Sequence, residues 1–285
     1  MRKIFPLILT IVSSAQVLAA APTPEVALSR IDCGRFEQLP MAVYDDVAMY
    51  GTHRDAVSGA HRDAVNPCYV IRHGSEFMLW DTGLSVGVSL WGGALIGPKR
   101  SMKDVLAEHD IKPGQIKIIG VSHNHFDHLG QAADFPHAKL IIGAEDWINI
   151  KNLPGSKALH AYLPERTAVQ PWLDNEENVI PIVDDRDIFG DGSVVMLNTP
   201  GHTPGHHSLL VRLKDRGPIF LTGDLYEWQQ NFETDAVPNN YTNRADQLAS
   251  YDRFKKIARK LRGIVIIQHE PADLAKLPAF PEWAK

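Results

Sequence analysis

Ser122-His123-Asn124-His125-Phe126-Asp127-His128 is the stretch that decides how this chain is read. Histidine and aspartate crowd together there, directly after the apolar, β-branched run Ile116–Val121. Imidazole nitrogen and carboxylate oxygen are ligands for zinc and similar divalent ions. His123 and His125 stand two residues apart, so in extended backbone their side chains point the same way. Asp127 and His128 can then turn towards a second position.

Working outward, three later stretches repeat the pattern of an apolar strand ending in a ligand. Thr199-Pro200-Gly201-His202-Thr203-Pro204-Gly205-His206 follows Val194–Leu197, and its Pro and Gly residues shape a tight loop around His202. His206 and His207 open the next strand and read as structural. Leu221-Thr222-Gly223-Asp224 closes the strand Ile219–Thr222, placing a carboxylate where it could bridge two cations. Gln268-His269-Glu270 closes Ile264–Ile267. Loops carried on a rigid sheet are the usual place for a site.

The rest of the pattern is alternating α/β. Tyr69–Arg72 and Phe77–Trp80 flank His73-Gly74 as a hairpin, and Lys139–Ile142 and Ser208–Val211 are further short strands. Met102–His109 and Arg244–Arg262 read as helices, the latter with Leu248, Tyr251, Phe254, Ile257 and Leu261 at helical spacing. Many short strands with a few helices imply two sheets packed together and covered by helices.

This ensemble resembles the metallo-β-lactamase superfamily, from about Tyr69 to the end of the chain. His123, His125, Asp127 and His128 match its H-x-H-x-D-H motif, and His202, Asp224 and His269 match its later ligands in order. The fold implied is an α/β, αββα sandwich of two mixed β-sheets flanked by helices. The resemblance also implies two divalent metal ions, zinc by default, with manganese, cobalt or iron as alternatives. One would be held by His123, His125 and His202, the other by Asp127, His128 and His269, with Asp224 bridging. Their shared water, deprotonated, would be the nucleophile. Trp80-Asp81-Thr82-Gly83 matches an early motif in which Asp81 supports the metal loop rather than binding metal.

Within the superfamily the chain is most similar to the lactonases that open N-acyl-homoserine lactones. The bridging Asp224 separates it from the true β-lactamases. Glyoxalase II-like thioesterases share that aspartate but carry a helical domain after the last histidine, where this sequence has only Glu270–Lys285. Phe126 inside the motif, Asn231-Phe232-Glu233, Val237-Pro238 and Phe280-Pro281-Glu282-Trp283 look like the lactonases. One position departs. The lactonases place a tyrosine three residues after the bridging aspartate, and here that residue is Glu227. Tyr226 is the candidate to assist the lactone carbonyl; the alternative is a core or pocket-wall tyrosine. Asp127 is expected to carry a proton to the leaving ring oxygen. Leu84, Trp91, Phe126 and Trp147 are candidate walls for the acyl chain, and a core role is the alternative for each. Rival activities are hydrolysis of phosphotriesters at the same site and metal binding without turnover.

Bulk properties agree with a small-molecule enzyme. The 285 residues are 44% hydrophobic and 22% charged, an ordinary globular balance. Arg2 and Lys3, the apolar run Phe5–Val12 and the small residues Ala19-Ala20-Ala21 read as a signal peptide over residues 1–21, with one domain over 22–285. The apolar run is too short to span a bilayer, so export to the periplasm or medium is expected. Loss of Arg2 and Lys3 takes the formal charge from −5 to −7, which disfavours a nucleic-acid partner. A homodimer is left open. Cys33 and Cys68 are either one disulfide or two separate thiols. Gly51–Ser58 and Gly59–Asn66 are a tandem duplication, read as a lengthened surface loop, with His53 and His61 facing solvent.

Overall fold

Strands in this chain come from short β-branched runs, and what each run faces follows from its period of two. In the computed structural model, residues 24–41, 44, 46, 61–153 and 164–285 are described. The expected signal peptide, His53 and the first copy of the duplication lie outside them, as does the side chain of Trp91.

Strand β1 (Val26–Pro40) pairs antiparallel with β2 (His61–His73), which turns at Gly74 into β3 (Glu76–Trp80). Two short strands, β4 (Ser89–Leu90) and β5 (Leu95–Ile96), extend the β1 edge. On the other side β3 runs parallel to β6 (Ile116–Gly120), then β7 (Lys139–Gly143) and β8 (Val179–Ile182). The order of this sheet is β4-β5-β1-β2-β3-β6-β7-β8. The second sheet holds β9 (Arg186–Asp187), β10 (Val194–Asn198), β11 (His207–Leu213), β12 (Gly217–Leu221) and β13 (Ile264–Ile266), in the order β13-β12-β11-β10-β9. Only its β12–β13 pair is parallel.

Alternation along β11 shows the layering. Leu209 and Val211 face the first sheet, sharing a core with Leu28, Ile71, Met78 and Trp80. Leu210 faces the other way, onto helix α7 (Arg244–Leu261) with Phe220, Tyr251, Phe254 and Ala258. The far side of the first sheet, Val70, Leu79, Ile119 and Leu140, is covered by α1 (Met102–Ala107), α3 (Ala144–Asn152) and α5 (Gln170–Asp174) through Leu106, Trp147 and Trp172. The remaining helices are short: α2 (Phe126–Leu129), α4 (Pro164–Ala168) and α6 (Gln229–Thr234). The layers are therefore α/β/β/α. Among the described residues, no helix is long and apolar enough to cross a membrane.

Three expectations are corrected. The described part of the second copy of the duplication is not loop: His61–Asn66 is the first half of β2, with His61–Val65 paired to Arg35–Pro40 of β1. Its exposed His61 and Asp63 alternate with buried Ala64 and Asn66, a strand pattern. On α7 Tyr251 and Phe254 are buried as expected, but Leu248 is 39% exposed, and Gln247 is buried in its place and donates from Nε2 to the Leu225 carbonyl. Trp147 belongs to the core beneath α3, not to a pocket. The two cysteines, open from sequence, form a disulfide across β1 and β2.

Candidate metal centre

The ligand candidates sit where strands end on one edge of the sandwich. His123 and His125 follow β6; Asp127 and His128 lie on α2; His202 follows β10, Asp224 follows β12 and His269 follows β13. Their atoms form two groups, His123/His125/His202/Asp224 and Asp127/His128/Asp224/His269. In the first, His202 Nε2 lies 3.1 Å from His123 Nε2 and 3.0 Å from His125 Nδ1. Asp224 Oδ2 is 3.3 Å from His202 Nε2 and 3.6 Å from His123 Nε2. In the second, Asp224 Oδ1 is 3.2 Å from both His128 Nε2 and His269 Nε2, and Asp127 Oδ2 is 3.4 and 3.7 Å from the same atoms. Asp224 thus gives one oxygen to each group.

The donor set suits divalent cations. His128 Nε2 and Asp224 Oδ1 are buried and make no hydrogen bond. A buried polar atom without a partner is costly, and a bound cation would satisfy both. Burial pulls the pKa of His123, His125 and His202 down, leaving neutral imidazoles ready to ligate. Burial also opposes charge on His128 and His269, but the carboxylates of Asp224 and Asp127 outweigh it. Both are raised, His269 to about 9. Asp224 is held low by His128, His269 and His123, against burial. Protons on His128 and His269 thus stand where a cation's charge would, and metal uptake would displace them.

A shell of positioning contacts fixes these rings. Asp81 Oδ2 lies 2.9 Å from His128 Nδ1, while Asp81 Oδ1 accepts from Ser122 N–H at 2.7 Å. This matches the supporting role implied for Asp81. His269 Nδ1 lies 2.9 Å from the Val65 carbonyl, and Asn66 Nδ2 donates to the Asp127 carbonyl at 2.8 Å. His206 is structural: its Nε2 accepts from Asp224 N–H at 3.0 Å.

Several residues here carried no sequence signal. Asp146, in the first turn of α3, accepts from Asn124 N–H, Thr203 Oγ1 and Gly205 N–H, tying the His123–His125 loop to the His202 loop. Tyr241 donates to the Asp224 carbonyl at 2.7 Å and packs its ring on His202. Tyr44 sets its ring edge-on to Trp228 in the apolar cluster beside the site, and burial, then the charges of Glu227, Asp127 and Asp224, raise its pKa.

Tyr226 does not join them. Its ring is buried, stacked on Tyr251 at 4.4 Å and edged by Phe232 and Phe254. Burial raises its pKa, and the charges around it are Tyr251 and Asp235, not the site carboxylates. Tyr226 has extended backbone, so its neighbour points the opposite way. Glu227 takes the site side. Burial and Asp224 push its carboxyl up to about 8. Leu84 and Phe126 do meet, in an apolar cluster with Phe36, Met41 and Trp228 beside the centre, and Phe36 sets its ring edge-on to His269.

Comparison with known proteins points the same way. The N-acyl homoserine lactonase AttM of Rhizobium radiobacter is 27% identical over 228 residues, spanning 76% of this chain and 86% of its own length. An N-acyl homoserine lactone hydrolase solved with N-hexanoyl-L-homoserine at its catalytic metal centre is 23% identical, with a TM-score of 0.71 over 92% of this chain and 100% of its own. AidC, a dizinc quorum-quenching lactonase, is 18% identical, with a TM-score of 0.64 over 92% of this chain and 91% of its own. A family model described as the metallo-beta-lactamase superfamily matches residues 62–269. The chain belongs to the metallo-beta-lactamase superfamily, as a metal-dependent hydrolase.

Proposed function

We propose that this protein opens the lactone ring of N-acyl-homoserine lactones at a centre of two divalent cations. The observation that carries the reading is Asp224, which offers one carboxylate oxygen to each of two buried His/Asp groups. Zinc suits the nitrogen and oxygen donors. Bound there, two cations would supply Lewis acidity and make an attacking water more acidic.

The chain's own residues do the rest. His123, His125 and His202 would hold one cation and Asp127, His128 and His269 the other, with Asp224 shared. Asp127 turns Oδ2 to the cluster, and Oδ1 is the atom assigned to take the remaining proton of the attacking oxygen and pass it to the departing ring oxygen, leaving carboxylate and alcohol. Half-buried Phe126, backed by the buried cluster of Leu84, Phe36, Met41 and Trp228, offers the acyl chain an apolar surface. Export of the chain is part of the same proposal. It is supported by the basic start and apolar run before residue 22 and by the disulfide, which suits an oxidising compartment. Mass measurement of the secreted protein checks it, with an N-terminus near residue 22 expected.

Ring opening releases one acid per turnover. A pH-stat assay with hexanoyl- and decanoyl-homoserine lactone, beside a chromogenic phosphotriester, tests the activity. Turnover of the lactones is expected, together with near-complete loss in Asp224→Asn. Turnover of the phosphotriester alone would overturn the proposed substrate class.

A further inference from the structure

We infer that the Cys33–Cys68 disulfide is a positioning element of the metal centre, backing the group formed by Asp127, His128 and His269. The inference rests on the two-cation reading above. Both cysteines are fully buried, and each side of the bridge leads to ligands of that group.

On the Cys33 side, the bridge supports the loop 81–84. Leu84 N–H donates to the Cys33 carbonyl at 3.0 Å. Gly83 lies flat against the bridge: a Cβ there would fall 2.2 Å from Cys33 Cβ and 2.9 Å from Cys68 Sγ, and its φ of +65° suits glycine. From this seat the loop reaches His128. Thr82 donates from N–H and Oγ1 to the His128 carbonyl, at 2.7 and 3.1 Å, and Asp81 meets His128 Nδ1. Gly130 N–H returns a bond to the Gly83 carbonyl at 2.6 Å.

On the Cys68 side, the residues just before it hold the other two ligands. Val65 offers its carbonyl to His269 Nδ1, and Asn66 Nδ2 donates to the Asp127 carbonyl. The carbonyl of Pro67 accepts from Gln268 Nε2 at 2.6 Å, fixing the residue before His269. The group of His123, His125 and His202 is backed mainly elsewhere, by Asp146, by Thr242 and by Ser250 of α7, although Ser122 Oγ, which donates to Asp81 Oδ2, also lies 3.0 Å from His123 Nδ1. The bridge therefore ties together the supports of all three ligands of one cation site and reaches the other only through Asp81, Ser122 and His123.

Contacts behind metal ligands commonly carry 10- to 100-fold in affinity. Zinc binding by the full protein is measured by competition with a chromophoric chelator, with stoichiometry by mass spectrometry. Cys33→Ala/Cys68→Ala is expected to keep one ion close to the parent affinity and to bind the second about 10- to 100-fold more weakly. Gly83→Ala keeps the cysteines but lifts the loop off the bridge, and the same selective loss is expected. It serves as the test if the double variant fails to fold. A bridge acting only on fold stability would lower Tm and leave both affinities as in the parent, which overturns the inference. A parent binding fewer than two ions would instead overturn the two-cation reading, and this inference with it.

Discussion

Asp81 shows how a candidate metal centre depends on a residue outside its two ligand groups. With both oxygens accepting, it takes Ser122 N–H on Oδ1 and His128 Nδ1 on Oδ2. A proton on Nδ1 leaves the Nε2 lone pair of His128 free to ligate. Asp81 has φ +56°, a conformation asparagine also tolerates, so Asp81→Asn tests the carboxylate without disturbing the backbone. One of its acceptor oxygens becomes a donor, and a fall of roughly 10- to 100-fold in zinc affinity is expected by chelator competition. Unchanged affinity would remove Asp81 from the centre. Glu227 makes a second prediction at this scale. Burial and Asp224 raise its carboxyl from 4.5 to about 8. An acid raised by folding holds its proton in the folded chain over a range where the unfolded chain has lost it. Stability of the metal-free protein should therefore fall as pH rises from about 4.5 to about 8. Glu227→Gln removes that loss, and at pH 8 it should be the more stable by about 1 kcal/mol or more, since tenfold in proton affinity is worth about 1.4 kcal/mol. Urea titrations at pH 5 and 8 check this; a parent and variant that track together at both would sink it.

Between elements, the centre is held by how loops lie on helices. The His202 loop rests on the start of α7, where Asn243 caps the helix through Ala245 and Asp246 N–H. Thr242 donates from Oγ1 to the His202 carbonyl at 2.8 Å, and Ser250 to that of Pro200 at 2.7 Å. Gly201, with φ +143°, is the point of closest approach: a Cβ there would lie 2.5 Å from Gln247 Cα. Gly201→Ala must push the loop off α7, at about 1–3 kcal/mol by analogy with overpacked cores. It should lower Tm and weaken the ion held by His123, His125 and His202, the opposite preference to the cysteine variants. Loss confined to the other ion would contradict this account. These contacts also mark the limit of what the sequence discloses. Strands and ligands were legible because apolar β-branched runs end directly in His or Asp, and each motif is local. Tyr226 and Glu227 could not be told apart, because which of two neighbours faces the site depends on the path of the chain after β12. Asp146 gave no sign, since its three donors come from residues 22 to 59 positions away in sequence. The strand made from the duplicated copy needed β1 as its partner before its alternation had meaning.

At the scale of the whole molecule, the ligands span both sheets. His123, His125, Asp127 and His128 come from the first, and His202, Asp224 and His269 from the second. Cations at this edge would bind only the packed sandwich and so stabilise it by mass action, about 2.7 kcal/mol at a free concentration 100 times Kd. For a chain of this size that is roughly 5–10 °C in Tm. The metal-free protein partly compensates with protons. His269, raised from 6.5 to about 9, holds one against Asp224 and Asp127. A histidine raised by folding gives stability that is full below pH 6.5 and is lost as pH rises through about 9. The metal-free edge thus loses its internal counter-charge over that range, while cation binding, no longer competing with protons, strengthens. The gap in Tm between chelated and zinc-buffered protein should therefore widen from pH 6.5 to pH 9. Thermal scans at the two pH values decide the matter. A gap that stays constant or narrows would mean that His269 and the carboxylates facing it do not trade protons for metal.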